Sequence, residues 1–188
     1  MQLGHLEIKK NIRILRLFPV TPSHGQEGPH LRRPLEYLSP ATEVEDIYCP
    51  GAPNAIDSPA TELQAKPMVL EKVKWAYEQG YDIVVIACMR DPGIKDAKRL
   101  VPIPVIGVKE AALTIASLLG VSPAIVYPKG IQVKQLRTNP EATYEALKKG
   151  ANWEMGYGAD IIVPGCTILG KLSQRLQKDI GIPVLTNE

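Results

Sequence analysis

The sequence predicts an α/β fold of two pseudo-symmetric lobes, each a mainly parallel sheet flanked by helices. Short apolar strands without in-out alternation follow amphipathic helices along the chain, as in sheets covered on both faces. The stretch from Gly80 to Gly107 is also written a second time from Gly158 onwards. Each copy opens Gly-x-Asp (Gly80 to Asp82, Gly158 to Asp160), runs through an apolar strand to a cysteine, Cys88 or Cys166, and closes on Ile-Pro-Val at Ile103 or Ile182. The Gly-x-Asp and the cysteine repeat in the same frame, and the Ile-Pro-Val slips by one position.

Taken in order, 12–18 reads as a first strand, and the Pro-Val-Thr-Pro-Ser-His-Gly at 19–25 is a loop at its carboxyl end. A short helix is expected at 31–38, restricted by Pro34, and a second strand at 44–48. The segment 67–79 reads as a helix with Val69, Val73, Ala76 and Tyr77 on one side and Gly80 as its stop. The covered strand 83–87 follows. Asp91-Pro92-Gly93 then reads as a helix start, Asp91 as the cap, ahead of Ile94, Ala97, Lys98 and Leu100. A strand at 104–108 leads into a helix at 109–119 ended by Gly120. Strands are expected at 124–127 and 133–136. Asn139-Pro140 caps a helix whose face, Tyr144, Leu147, Ala151 and Met155, carries the period through Gly150. The second covered strand is 161–163, Leu169, Leu172 and Leu176 mark the next helix, and 183–185 closes the chain. The first lobe is expected over 1–108, with the C-terminal strand a candidate to complete it, and the second over 109–188.

Composition excludes several classes of function. The chain has 188 residues, 45% of them hydrophobic, enough for one domain or two small lobes with a core. Twenty-two basic residues face 20 acidic ones, for a net charge of +2, and the aromatics include only one phenylalanine and two tryptophans. Neither a basic stripe nor a base-stacking platform is present, so nucleic acid is not an expected partner. Apolar runs are strand length, which excludes a spanning helix from the expectation, and the N-terminal segment lacks the apolar region of a signal peptide. The expected location is the cytoplasm. There the three cysteines, Cys49, Cys88 and Cys166, would be free thiols, and no C-x-x-C or histidine at metal spacing suggests a metal. No glycine-rich nucleotide loop follows any strand.

Right-handed crossovers put all strand-to-helix loops along one sheet edge, where open α/β sheets bind ligands. Cys88, Cys166 and the 19–25 loop fall there. A cysteine between a strand and a helix start is expected to have its pKa lowered from about 8.5 towards neutrality by the helix N-terminus. A thiolate and a thiol facing each other across a cleft can take a proton from one face of a carbon acid and return one to the other, which inverts it. The developing enolate calls for donors, expected from the amides after each cysteine, from Thr167 and from the loop after the first strand, where Thr21 lies. Neither cofactor nor metal is demanded. A lone strand-end cysteine is more often packing than catalysis, and Cys49, outside the repeat, keeps that reading. Arg90 could bind an anionic or carbonyl group or point to solvent, and Glu110 stands at a junction from which it can face the cleft.

At these residues the chain resembles the aspartate/glutamate/hydantoin racemase superfamily. Ala87-Cys88-Met89-Arg90-Asp91-Pro92-Gly93, Ile103 to Gly107 and Glu110-Ala111-Ala112 are similar to its hydantoin and allantoin racemase branch, and Gly165-Cys166-Thr167 to its second cysteine motif. The resemblance implies cofactor-independent racemisation by Cys88 and Cys166, with Thr21, Arg90, Asp91, Glu110 and Thr167 meeting the substrate. Three departures stand beside it. The loop after Phe18 is not Asn-Pro-Asn-Thr-like, the segment between Gly120 and Asn139 is shorter than in the family, and no final helix follows Glu188. The second lobe is therefore expected to be shortened.

The expected function is racemisation of a 5-substituted hydantoin or related cyclic ureide. The alternatives are an aspartate/glutamate-type racemase or arylmalonate-type decarboxylase on the same fold, a non-catalytic small-molecule binding protein and, behind these, a thiol redox protein. The expected partner is a small-molecule substrate, with a homo-oligomer open, and neither nucleic acid nor membrane.

Overall fold

The computed structural model describes residues 11–22, 38–39 and 41–185. Its first sheet is built from β1 (Ile12–Phe18), β2 (Thr42–Tyr48), β3 (Ile83–Ile86) and β4 (Val105–Gly107), in the order β2-β1-β3-β4. Every neighbouring pair is parallel. The helices α1 (Pro59–Glu78) and α2 (Ile94–Leu100) connect them, and α3 (Val108–Leu119) leads out of β4. The second sheet pairs β5 (Pro123–Val126) with β6 (Ile161–Pro164) in parallel, and Val184 joins through a parallel bridge to Ile162. It is flanked by α4 (Pro140–Gly156) and α5 (Gly170–Ile180). Among the described residues no helix is long and apolar enough to cross a membrane.

The sequence repeat has a structural counterpart. Asp82, in the first Gly-x-Asp, accepts a hydrogen bond from the Arg13 amide at 2.8 Å, and its own amide donates to the Arg13 carbonyl. Asp160, in the second, accepts from the Val121 and Ser122 amides at 2.7 and 2.8 Å, and its amide donates to the Ser122 carbonyl. Each aspartate thus ties the cysteine-bearing strand to the start of its neighbour, β3 to β1 and β6 to β5. By this match the second sheet has counterparts of β1, β3 and β4 and none of β2 among the described residues. The segment between Gly120 and Asn139, expected to be short, is where an outer strand would follow β5.

Three apolar clusters hold the layers together. Leu15, Leu17, Val84 and Ile86 pack with Val69 and Val73 of α1 in the first lobe. Val126, Ile162, Leu147, Leu169 and Leu176 form the second-lobe core. Between them, Ala112 and Ala116 of α3 pack with Met89, Ile161 and Val163, so α3 is shared by both lobes.

Several elements differ from the sequence expectation for identifiable reasons. Helix α1 begins at Pro59, not at residue 67. Ser58 caps it by accepting from the Thr61 amide, and Pro67 lies inside it. An interior proline removes a hydrogen bond and clashes with the preceding turn. Here the helix continues past it because a long buried face, from Ala65 through Val69 and Val73 to Ala76, holds both sides. Tyr77, expected on that face, is 46% exposed. The segment expected as a strand at 133–136 is a 3-10 turn at Val133–Gln135, closed by the Gln135 side chain accepting from the Gln132 amide. The short helix expected at 31–38 lies, Leu38 apart, outside the described residues, as does the 19–25 loop beyond Pro22.

Helix α4 does run through Gly150. A Cβ added there would stand 2.7 Å from Val126 Cγ1, so the missing side chain lets the helix approach β5. Gly→Ala inside a helix ordinarily gains about 1 kcal/mol. Gly150→Ala is expected to do the opposite and lose about 1–3 kcal/mol from overpacking, read as a lower urea midpoint. A rise in the midpoint would show that Val126 yields easily.

Candidate active site

Both cysteines leave the carboxyl end of the strand at the heart of their sheet. After β3 the chain turns sharply, with the Cys88 amide bonded to the Ile86 carbonyl and the Asp91 amide to the Cys88 carbonyl, both at 2.9 Å. Cys166 follows β6 and opens a 3-10 turn at Thr167–Leu169. The two turns treat sulfur alike. The Arg90 amide donates to the Cys88 sulfur and the Ile168 amide to the Cys166 sulfur, in each case from two residues on. The sulfurs also act on each other, since charge on Cys166 raises the pKa of Cys88.

The expectation of thiols shifted towards neutrality is corrected. Burial pushes Cys88 up to about 12, with Cys166 and Asp91 adding to the rise and the Arg90 amide and guanidinium opposing it. Cys166 is also raised by burial, against the Ile168 amide and the Arg137 charge. Both side chains keep partial solvent contact, but the protein packed around each sulfur outweighs the dipoles. The helix that was to lower Cys88 begins only at Ile94, runs for seven residues and is preceded by Gly93 in the left-handed conformation, with no side-chain cap. Cys49 is fully buried, and burial lifts it to about 11, in keeping with a packing role.

Asp91 is a cap, but of a different helix from the one expected. Its carboxylate accepts from the Lys109 and Glu110 amides of α3 at 3.0 and 2.9 Å while it is 4% exposed. Its backbone has φ 48°, a left-handed conformation that asparagine and aspartate tolerate better than most residues. A side chain at Gly107 would collide with this carboxylate at 2.5 Å, which explains the glycine.

The other expected substrate-binding residues divide. Glu110 accepts from the Gly107 amide at 3.1 Å and pairs with Lys98 at 2.5 Å. Burial alone would raise its carboxyl, but these two partners hold it below the usual range. Thr21 donates to the Ala52 carbonyl at 2.7 Å, tying the loop after β1 to the loop after β2. Asp91, Glu110 and Thr21, expected to meet substrate, therefore have their polar groups engaged in shaping loops. Arg90 is anchored by the Asp57 carbonyl at 3.0 Å and by Glu62 at 3.6 Å. Thr167 directly follows Cys166 and is half-buried.

One residue of the site was not singled out from the sequence. Tyr127, at the end of β5, lays its ring over Gly165, where any Cβ would overlap it. Burial raises its phenol, as do Cys88, Cys166 and Glu62, while Arg90 lowers it. The ring thus lies within electrostatic reach of both sulfurs. Its position at the same carboxyl edge as the cysteines was the signal available.

Two parallel α/β sheets, with a sulfur and a donating amide at the matching strand end of each, define a class, and the comparison with known proteins agrees. The profile of the Asp/Glu/Hydantoin racemase family matches residues 34–129, and the chain belongs to that family. It is a racemase. Among its relatives, the hydantoin racemase of Pseudomonas sp. (strain NS671) is 31% identical over 171 residues, covering 77% of this chain and 69% of that protein. The structure of allantoin racemase from Klebsiella pneumoniae superposes with a TM-score of 0.79 at 25% identity, covering 94% of this chain and 83% of that one. Allantoin racemase from Pseudomonas fluorescens shares the fold, with a TM-score of 0.82 at 21% identity over 94% and 86% of the two chains.

Asp91→Ala removes the acceptor for two amides at the start of α3. It is expected to cost about 1–3 kcal/mol, measured by urea denaturation. Stability equal to the parent would show that water replaces the carboxylate.

Proposed function

We propose that this racemase inverts the acidic carbon of a 5-substituted hydantoin or related cyclic ureide, with Cys88 and Cys166 as its two acid/base residues. The observation that carries the reading is the matched pair of sulfurs, each at a strand end and each receiving an amide from two residues on, with charge on Cys166 raising the pKa of Cys88. The 31% identity to a hydantoin racemase and the likeness to an allantoin racemase support the substrate class.

In this reaction one cysteine, as thiolate, takes the proton from the carbon between the ring carbonyl and the substituent. The electron pair moves onto the carbonyl oxygen. The other cysteine, as thiol, delivers its proton to the opposite face, and the pair returns to carbon. One proton is taken and one given, so no redox partner enters. Tyr127 and the amides after the cysteines are the donors for the transient oxyanion. Arg90 and Thr167 border the substrate, while Thr21, Asp91 and Glu110 hold the loops around it.

A pure enantiomer of a 5-substituted hydantoin is expected to lose optical activity with the protein and to gain deuterium at that carbon in heavy water. Replacing both Cys88 and Cys166 by alanine abolishes both signals, and activity retained in that double variant sinks the proposal. A panel of free amino acids and aryl malonates checks the substrate class. Because folded thiols hold their protons more tightly than free ones, the thiolate fraction grows as pH rises. Between about pH 6 and pH 8, kcat/KM is expected to climb about tenfold per pH unit, and a flat profile there contradicts thiolate chemistry.

A further inference from the structure

Helix α3 has two apolar faces of different kinds. Ala112 and Ala116 are buried between the lobes, whereas Ile115, Leu118 and Leu119 form a second stripe at helical spacing. With Val121 just beyond the helix, these residues are 50–96% exposed. A helix face open to water ordinarily carries charge, as α4 and α5 do with Glu145, Lys149, Lys171 and Arg175. No charged side chain occurs from Ala111 to Pro128. Single exposed hydrophobic residues need no explanation, but a stripe of this size in an uncharged segment marks a contact surface.

Two more large apolar side chains stand at the same end of the second lobe. Helices α3 and α4 both run back to the amino ends of the strands that follow them, β5 and β6, which pair side by side. The Asp160 carboxylate, bonded to the Val121 and Ser122 amides at 2.7 and 2.8 Å, fixes the end of α3 against the turn after α4. Just before that turn lie Trp153 and Tyr157, with ring centroids 5.3 Å apart and exposures of 60% and 74%. Cys166 leaves the opposite, carboxyl end of β6, so this surface is separate from the site already described.

We infer that this surface is the interface of a homodimer, in which a second copy of the chain lies across the ends of α3 on a two-fold axis. Two features select a second copy over a different partner. Across a two-fold axis a patch meets itself, so any charge on it stands near its own like. The segment 111–128 is free of that penalty and offers no charge for an unlike partner to complement. Each partner of a standard interface contributes about 800 Å², and six large side chains, each at least half exposed, supply apolar area of that order. Pairing of this kind leaves the cysteine edges of both copies open. It also holds the far end of α3, whose start is already capped by Asp91.

The test is the mass of the full chain in solution. An apolar interface of this size is expected to keep the parent dimeric at about 10 μM, so light scattering after size exclusion gives twice the 20.6 kDa of one chain. Leu118→Lys combined with Val121→Lys sets like charges against each other and raises the dissociation constant by about 100-fold or more. Circular dichroism stays unchanged, because both side chains are exposed. A parent with the mass of a single chain overturns the assignment. So does a dimer whose dissociation constant is the same in the double variant, since the copies then meet by another face. An assembly larger than a dimer supports it where the double variant lowers the mass and overturns it where the mass stays the same. Should the lysine variant fail to fold, Leu118→Gln with Val121→Thr takes its place. This uncharged pair is expected to raise the constant by about tenfold, and an unchanged constant again overturns the assignment.

Discussion

The Asp91 carboxylate ties three parts of the molecule together. It sits in the turn that positions Cys88, accepts the first free amides of α3, and fits only because Gly107 has no side chain. Helix α3 in turn packs Ala112 and Ala116 against Ile161 and Val163 of the strand that ends near Cys166. The turn around one sulfur is therefore connected through a single buried carboxylate and a shared helix to the strand beneath the other. Two lobes joined in this way keep their reactive ends in register without a direct bond between the sulfurs.

Burial decides the electrostatics of the pair. Each sulfur has one amide donor, which alone would favour thiolate, but the surrounding protein costs the charged form more. A thiol so placed is a weak acid, and its thiolate is a correspondingly strong base, which suits removal of a proton from carbon. The interaction between the sulfurs adds a second bias. Charge on one disfavours charge on the other, so the state with one proton shared over two sites is favoured over the doubly ionised one. Two-sided proton transfer on the proposed mechanism needs that state.

Much of the framework was legible in the sequence because it rests on local rules. Covered strands are apolar without alternation, glycines stop helices at Gly80 and Gly120, and the Asn139 cap and the passage of α4 through Gly150 followed from spacing. The frame shared by the two cysteine units also had a direct physical meaning, since Asp82 and Asp160 make equivalent ties. Features that depend on distant residues were not legible. Asp91 looks like the cap of the helix that follows it, yet its carboxylate finds the helix after the next strand. Pro67 looks like a helix start because sequence cannot show that the face on either side of it is buried. The thiol acidities went the opposite way from the local rule because desolvation sums over atoms from all parts of the chain. Tyr127 joined the site only through the pairing of β5 with β6.

The contact between Gly165 and the Tyr127 ring acts as a spacer of zero thickness. With no atom beyond Cα at residue 165, the aromatic plate rests on the backbone next to Cys166. Any larger residue would push that plate off the backbone, by about the thickness of the group added. On the proposed reaction, the room beside Cys166 would thus depend on a position outside the reacting groups, which a protein engineer could use to regulate the size of the molecule admitted.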